Sequence, residues 1–466
     1  MRARIELVTM AVVMAALLKG FVIDAYKIPT GSMQPTLFGD RGAELSDRIL
    51  VDRVTYAWRD PRRFEVAVFR YPLDHAKTYV KRVVGVGPEE LRIAQGDLFH
   101  RRDDTQPWTI LRRPEDVQER HWLAIEGGTP QGPEWIVSSM GSEWSVSGRS
   151  LRARGDGRAQ FVPVRGTIRD WYLDGYPDAL RELITHRSQR SGRHAVGDVR
   201  LDAQVRALPG SREVTLELFE GGRRYAFRLP GPAAPADAKP SIEAFDEQTR
   251  TTSALASAGW RLPADEAVQV RVQNLDDRLE LRIEGQEPLT LEVGAVRDPN
   301  ASLFVMSRGE GVDLDELRVY RDVYYTNDEA KRSTYTIPAD HYFMLGDNSQ
   351  DSSDSRDWML YRLRSAGPAE TPGDREAGTE TPGRIVRGEA RRRENPRTVN
   401  AATLPGPTLY FEDEWGEPHW LDPETTETLS PEHVPFVHRD QILGRAVAVF
   451  WPIDPRRNVF RPGFVR

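Results

Sequence analysis

Thr78-Tyr79-Val80-Lys81-Arg82-Val83-Val84-Gly85-Val86 is a run of β-branched and aromatic residues that carries two basic side chains. As a strand it sets Tyr79, Lys81 and Val83 on one face and Val80, Arg82 and Val84 on the other, because successive side chains alternate. A lysine on a strand edge is usually exposed. A lysine whose own face is buried is different, since removal from water disfavours the ammonium. Lowering its pKa from about 10.4 to about 8 takes roughly 3 kcal/mol, which partial burial supplies. The run therefore predicts a β framework and offers a candidate general base.

Working outward, Val66 to Tyr71 is a second β-rich run, and Arg48 to Val54 alternates with Ile49, Val51 and Arg53 on one face. Before them stands Pro29-Thr30-Gly31-Ser32-Met33-Gln34-Pro35-Thr36-Leu37. The two prolines fix the backbone on either side, and Gly31 permits a tight approach beside Ser32. Most Thr-Gly-Ser turns are only turns. A serine becomes a nucleophile when a base takes its proton. None of the histidines, His75 and His341 among them, stands in a recognisable triad context, so Lys81 is the candidate partner. A third polar segment, Gly346-Asp347-Asn348-Ser349-Gln350-Asp351-Ser352-Ser353-Asp354-Ser355-Arg356, follows the apolar Tyr342 to Leu345. Its short side chains suit a hydrogen-bonded loop. It lacks the closing Glu and central Gly of an EF-hand, which argues against calcium there.

Between these motifs lies a long region of period-two alternation: Val199, Leu201, Ala203 and Val205; Val214, Leu216 and Leu218; Tyr225, Phe227 and Leu229; Val268, Val270 and Val272; Leu279, Leu281 and Ile283; Leu317 and Val319. Turns at Gly221-Gly222 and Asp276-Asp277 join several of them. Many short strands with one apolar face predict a β-sandwich. By pattern it resembles the concanavalin-like, laminin-G-like jelly rolls. Leu363 to Asn400 repeats Thr-Pro-Gly and carries Arg391-Arg392-Arg393, a composition too poor in large apolar residues to offset ordering entropy. Val434 to Trp451 is strand-like again.

The amino-terminal part is unlike the rest. Leu7 to Leu18 is almost wholly apolar, and the stretch reaches the length of a membrane span, about 20 residues, if it runs to Tyr26 and tolerates Lys19 near its outer end. Arg2 and Arg4 precede it, which predicts a cytoplasmic N-terminus. A cleaved secretory signal shares this plan, but no small-x-small cleavage site appears after Ile23. The remaining composition is that of a globular protein, with 29% charged and 39% hydrophobic residues among 466. The formal charge of -7 argues against nucleic acid as a partner. The absence of cysteine excludes disulfides, thiolate metal sites and cysteine nucleophiles.

Taken together, Pro29 to Leu37, Tyr79 to Gly85 and Gly346 to Arg356 resemble, in order, the three signature segments of type I signal peptidases, the bacterial leader peptidases. Asp47 to Tyr56, Val68 to Pro72 and Ile442 to Asp454 agree with that resemblance. It implies a serine endopeptidase with a Ser–Lys dyad, Ser32 as nucleophile and Lys81 as general base. The Ser32 N–H and Thr30 hydroxyl would form the oxyanion hole, and Ser352 would hydrogen-bond and orient Lys81. Asp354 and Arg356 would pair to support the loop, while Tyr26, Ile28, Leu37, Tyr79 and Val80 would line the substrate pockets. The implied substrates are exported preproteins carrying signal peptides. The implied location is the bacterial inner membrane, single-pass, with the catalytic domain outside. No cofactor and no metal are expected. Ser349 departs from the Gram-negative pattern, which often has Arg there, and Val86 to Glu90 and Arg63-Phe64-Glu65 depart in two turns.

The expected fold class is mostly β, a signal-peptidase-type core with an N-terminal transmembrane helix and an inserted β-sandwich. The expected division is a cytoplasmic segment 1–6, a transmembrane helix 7–26, core segments 27–95, 323–362 and 434–466, a connection 96–134, the sandwich 135–322 and a largely flexible insertion 363–433. The sandwich is expected to be dispensable for bond cleavage, with a docking role toward a glycan or a protein. The alternative is a membrane-tethered sandwich that binds carbohydrate or protein on an inactive peptidase core. A self-cleaving Ser–Lys repressor is a further rival, but it would carry a DNA-binding domain and no anchor.

Overall fold

The strand predicted around Lys81 runs Asp74–Val86 and lies within the eight-stranded main sheet. The computed structural model describes residues 10, 22–40, 45–125, 134–138, 143–181, 183–184, 191–256, 259–296, 300–327, 332–365, 384–389, 396–399, 407–455 and 459–465. Eight strands make the main sheet: β1 (Ile23–Lys27), β2 (Arg48–Asp52), β3 (Val66–Tyr71), β4 (Asp74–Val86), β5 (His341–Leu345), β6 (Phe436–His438), β7 (Ile442–Trp451) and β8 (Gly463–Phe464). Their order is β1-β2-β7-β3-β4-β5-β6, with β8 on β7, and every pair is antiparallel. Along β3 the alternation has a direct consequence. Val66 and Val68 join a core with Ile49, Val51 and Ala446, while Ala67 and Phe69 join a second core with Val83, Met344 and Trp358. Both faces are therefore covered, which explains why β3 reads as a continuous apolar run.

The catalytic core extends further than the sequence suggests. Residues 96–134, expected as a connection, contribute strands Asp97–Arg101 and Thr109–Ile110 and a helix Glu115–His121. The two strands join Glu89–Ala94 and Thr334–Ile337 in a four-stranded sheet. Leu98, Val117 and Leu123 share a core with Val84, Phe343 and Leu345 of β4 and β5. The polar stretch Arg101 to Gln106 is the exposed turn of a packed unit.

The inserted region is a sandwich of two antiparallel sheets. One is ordered 144–147, 150–154, 311–321, 199–207, 267–275, 278–283, 289–292, and the other 251–256, 241–246, 223–230, 211–220, 301–309, 157–161, 135–138. All the alternating apolar residues from Val199 to Val319 named above lie in one core between them. The Asp276-Asp277 turn closes a two-residue hairpin in which Leu275 faces Arg278, with positive φ at both aspartates (49° and 59°). Aspartate is among the few side chains that tolerate this conformation.

One expectation is corrected, and another falls mostly outside the described residues. The stretch 363–433 is not loose among its described residues. Strands Arg384–Glu389, Arg397–Val399, Thr408–Glu412 and Pro418–Leu421 form there, and Leu363, Val386, Phe411 and Leu421 bury a small core. Averaged composition hid four apolar side chains that long-range pairing brings together. Residues 366–383 of that stretch lie outside the described residues. The expected transmembrane helix 7–26 falls mostly on residues that are likewise outside them, 7–9 and 11–21. Its last part is strand, because β1 pairs residue for residue with β2, from Ile23 against Asp52 to Lys27 against Arg48. Among the described residues no helix is long and apolar enough to cross a membrane.

Candidate active site

Ser32 sits in a single turn, Gly31–Met33, on the connection from β1 to β2. Buried Met33 and Leu37 anchor this connection in the core under β2 and β3. Its closure depends on a close approach, since a Cβ on Gly39 would lie 2.4 Å from the Ile28 carbonyl. Asp47 completes it by accepting the Phe38 N–H at 2.7 Å and by pairing with Arg461. The segment 346–356 then crosses over the serine: the Asn348 N–H donates to the Ser32 carbonyl at 3.2 Å, and its side-chain amide donates to the Gly31 carbonyl at 3.0 Å.

Lys81 leaves β4 toward this turn, and its Nζ lies 2.6 Å from Ser32 Oγ. Its side chain is buried, with 3% of the residue exposed. Burial lowers its pKa to about 8, against the opposing pull of the Asp354 and Asp357 charges. The next residue, Arg82, has no exposed side chain and forms a two-pronged pair with Asp347, 2.7 Å at each prong. Arg82 also donates to the Phe64 carbonyl, and His121 Nε2 stands 3.6 Å from Asp347. Burial would push the Asp347 carboxyl up, but the Arg82 charge and hydrogen bonds hold it well below the usual carboxylate range. Burial likewise lowers the His121 imidazole.

Asp354 and Arg356 form the second fully buried pair, again two-pronged at 2.7 Å. Arg356 further donates to the Thr326 carbonyl and to both oxygens of Ser349. Asp354 is penalised by burial, yet Arg356 outweighs this and lowers its pKa. These carboxylates anchor the loop without surrendering a full charge to Lys81.

Ser352 lies beside the site. A Cβ on Gly346 would fall 2.2 Å from Ser352 Oγ and 2.3 Å from the Ser32 carbonyl. Its hydroxyl is buried and makes no hydrogen bond, so the expected bond to Lys81 is not formed in this conformation; the amine is turned to Ser32 instead. Thr30 is half-buried and extended, and its side chain makes no capping bond to the serine turn. Ile28 and Leu37, with Tyr26 and Val80 packed against them, share one apolar cluster beside the dyad. Tyr79 faces another, stacked on Tyr71 at 4.2 Å.

Sequence reasoning missed the contribution of the insertion. Gln34, two residues past the serine, is buried; its amide donates to the Gly39 carbonyl at 2.7 Å, and its carbonyl accepts the Tyr176 hydroxyl at 2.9 Å. Gln350 donates to the Asp170 carbonyl, and Tyr172, Tyr176, Leu180 and Ile184 bury Phe38. The expectation that the insertion is dispensable therefore meets a physical obstacle, because excision would expose Phe38 and strip Gln34 of a partner. The aromatic density of Trp171 to Tyr176 was the only trace of this in the sequence.

The Ser32 hydroxyl and the buried Lys81 amine thus meet on an antiparallel β core. Residues 1–118 and 297–370 match the family model "Signal peptidase, peptidase S26". It is 35% identical over 95 residues to the probable signal peptidase I-2 of Synechocystis sp., covering 19% of this chain and 40% of that protein. It is 32% identical over 122 residues to signal peptidase I of Leptolyngbya laminosa, covering 24% and 56%. The chain thus spans about half or less of these relatives' length. Among solved structures it is similar to the carbohydrate-binding module CBM66 from Bacillus subtilis, at a TM-score of 0.25 and 9% identity over 42% of this chain and 99% of that one.

Two outcomes are expected. Arg356→Met leaves Asp354 with Lys81 as a nearby cation, so the ammonium is favoured and the acid limb of the pH–rate profile moves to higher pH. An unmoved limb would remove the electrostatic role of the pair. Tyr176→Phe strips the buried Gln34 carbonyl of its shorter hydrogen bond, at a cost of about 1–3 kcal/mol. Thermal unfolding and cleavage rate should both report that loss, and wild-type values in both would detach the insertion from the serine turn.

Proposed function

We propose that this chain is a membrane-bound type I signal peptidase, a serine endopeptidase that removes signal peptides from exported preproteins. The observation that carries the reading is the 2.6 Å contact between Ser32 Oγ and a Lys81 amine whose pKa is brought to about 8. In this scheme neutral Lys81 accepts the Ser32 proton as Oγ attacks the scissile carbonyl carbon. The Ser32 N–H and the Thr30 hydroxyl hold the resulting oxyanion; such donors are often worth about 3–4 kcal/mol. Lys81 returns the proton to the departing amine, leaving an acyl-Ser32. It then deprotonates the water that releases the acid and restores Ser32. Tyr26, Ile28, Leu37, Tyr79 and Val80 are assigned to pockets for small side chains. Ser352 orients the amine when substrate is bound, and Asp354 and Arg356 hold the loop.

The proposed anchor is the apolar run that begins at Leu7, and it places the core at the outer face of the bacterial inner membrane. Exposed Trp451 and Phe464 on adjoining strands of the sheet, and Ile453 and Phe460 paired in a separate two-stranded sheet, suit contact with a bilayer interface, with Phe460 and Phe464 74% and 70% accessible. The sandwich is assigned to docking of a glycan or a protein. The alternative, a tethered sandwich on an inactive core, is disfavoured by the closeness of serine and lysine. Incubation of detergent-solubilised chain with a preprotein decides between them: cleavage by the native chain and none by Ser32→Ala supports the peptidase, and no cleavage by either removes it.

The lysine sets the pH response. Its folded pKa is depressed, so the neutral, active form grows tenfold per pH unit up to about pH 8 and then levels. The same depression costs stability, since the unfolded chain binds a proton that the folded chain releases between about 8 and 10.5. Lys81→Met should therefore be inactive and, below pH 8, more stable by up to roughly 3 kcal/mol. An acid limb governed by a histidine and unaffected at Lys81 would contradict the dyad.

The serines of the polar loop separate by their partners. Ser349 Oγ accepts from Thr326 and Arg356, and Ser355 Oγ accepts from Met344. Their replacement by alanine should lower the melting temperature. Ser352→Ala removes a buried hydroxyl that has no partner, so stability should hold or rise while cleavage slows about ten- to two-hundred-fold. Equal cleavage rates for Ser349→Ala, Ser352→Ala and Ser355→Ala would take Ser352 out of the mechanism.

A further inference from the structure

Three aspartates far apart in sequence meet where the peptidase core joins the sandwich. Asp97 opens strand Asp97–Arg101 of the core, Asp198 immediately precedes strand Val199–Ala207, and Asp276 is the first residue of the hairpin turn described above. One carboxylate oxygen from each lies within 4.8 Å of the others. Asp276 is only 4% exposed, and its Oδ2 is buried without a hydrogen-bond partner. A turn aspartate normally points to water or caps a nearby N–H. This one carries an unsatisfied carboxyl oxygen into the interior.

Charge does not balance around it. Glu220, Asp277 and Asp322 line the same cleft. Arg113 is committed to Asp322 at 2.8 Å and to Gln118, and Arg112 is shared between Glu292 and the Asp276 backbone carbonyl. Buried anions persist in proteins when they are paired or when they coordinate a metal.

We propose that Asp97, Asp198 and Asp276 form a calcium site that joins the sandwich to the peptidase core. The donors are all oxygens, which selects a hard cation over zinc or copper. Calcium–oxygen distances of about 2.3–2.6 Å allow donors to stand up to about 5 Å apart across the ion, whereas magnesium demands a tighter octahedron. Bound calcium would tie the hairpin turn and the start of Val199–Ala207 to the core turn at Gly96, whose carbonyl already accepts the Tyr325 N–H at 2.9 Å. The sequence reading expected no metal, because ligands separated by about a hundred and by nearly eighty residues leave no spacing signature. The site does not depend on the peptidase reading, since none of its ligands belongs to the dyad.

The test uses the full chain in detergent, stripped with a chelator and then titrated with calcium chloride while thermal unfolding is followed. The wild-type melting temperature should rise by several degrees as calcium reaches millimolar, with less effect from magnesium chloride. Asp276→Asn and Asp97→Asn relieve repulsion, so each chelated variant should melt at or above the chelated wild type, and each should bind calcium at least tenfold more weakly. Equilibrium dialysis should find one calcium per wild-type chain at the site. An absent calcium response in the wild type, which is the behaviour of carboxyls that share protons instead, overturns the proposal. A response kept in full by both variants also overturns it, by placing the ion elsewhere. If one variant fails to fold, the other gives the same decision.

Discussion

Lys81 carries its amine into a dry interior beside the Ser32 hydroxyl, and the carboxylates around it work against keeping that amine neutral. The loop that holds the Ser32 carbonyl in place contains Asp347 and Asp354, both buried. Left unpaired, each would favour the ammonium and silence the base. Each is instead matched by a two-pronged arginine, Arg82 from the same strand as Lys81 and Arg356 from the same loop as Asp354. The guanidinium groups thus do two things with one contact. They satisfy the loop's oxygens and they cancel the field that would protonate the lysine. Arginine suits this place because it stays charged where a second lysine would itself yield its proton.

The cost of this arrangement appears elsewhere in the fold. A dry amine and an unpartnered Ser352 hydroxyl both detract from stability, and the surrounding packing has to exceed those losses. Both faces of β3 are buried, and the serine turn is clamped from beneath by Met33 and Leu37 and from the side by Tyr172 and Tyr176 of the insertion. The insertion is in this sense a wall of the Ser32–Lys81 site. Its two-sheet core is self-sufficient, yet the segment between Ile168 and Ile184 faces the peptidase.

Much of this was legible in the sequence, for physical reasons that differ from place to place. The sandwich strands announced themselves because one sheet face meets the core and period-two alternation follows. Ser32 and Lys81 were legible through motifs, since chemistry confines residue types at short spacing. The helix Glu115–His121 and the strand Arg384–Glu389 were not, because their apolar residues are few and find partners only across long intervals, as Val386 does with Leu363 and Phe411. The Tyr176–Gln34 contact and the meeting of Asp97, Asp198 and Asp276 were invisible for the same reason. Side-chain periodicity reports which face is buried, and says nothing about which distant turn arrives opposite.

The position of β7 has a consequence for how the molecule comes into being. It lies between β2 and β3, so the sheet that carries the lysine is split until residues 442–451 have been made and inserted. The sandwich is contiguous in sequence and can assemble as soon as it leaves the ribosome, whereas serine and lysine, both synthesised early, wait for a strand made some 360 residues after the lysine, at about 5–20 residues per second. Synthesis itself thus acts as a timer. The nascent chain carries both halves of its reactive pair past its neighbours long before the scaffold that arms them is complete.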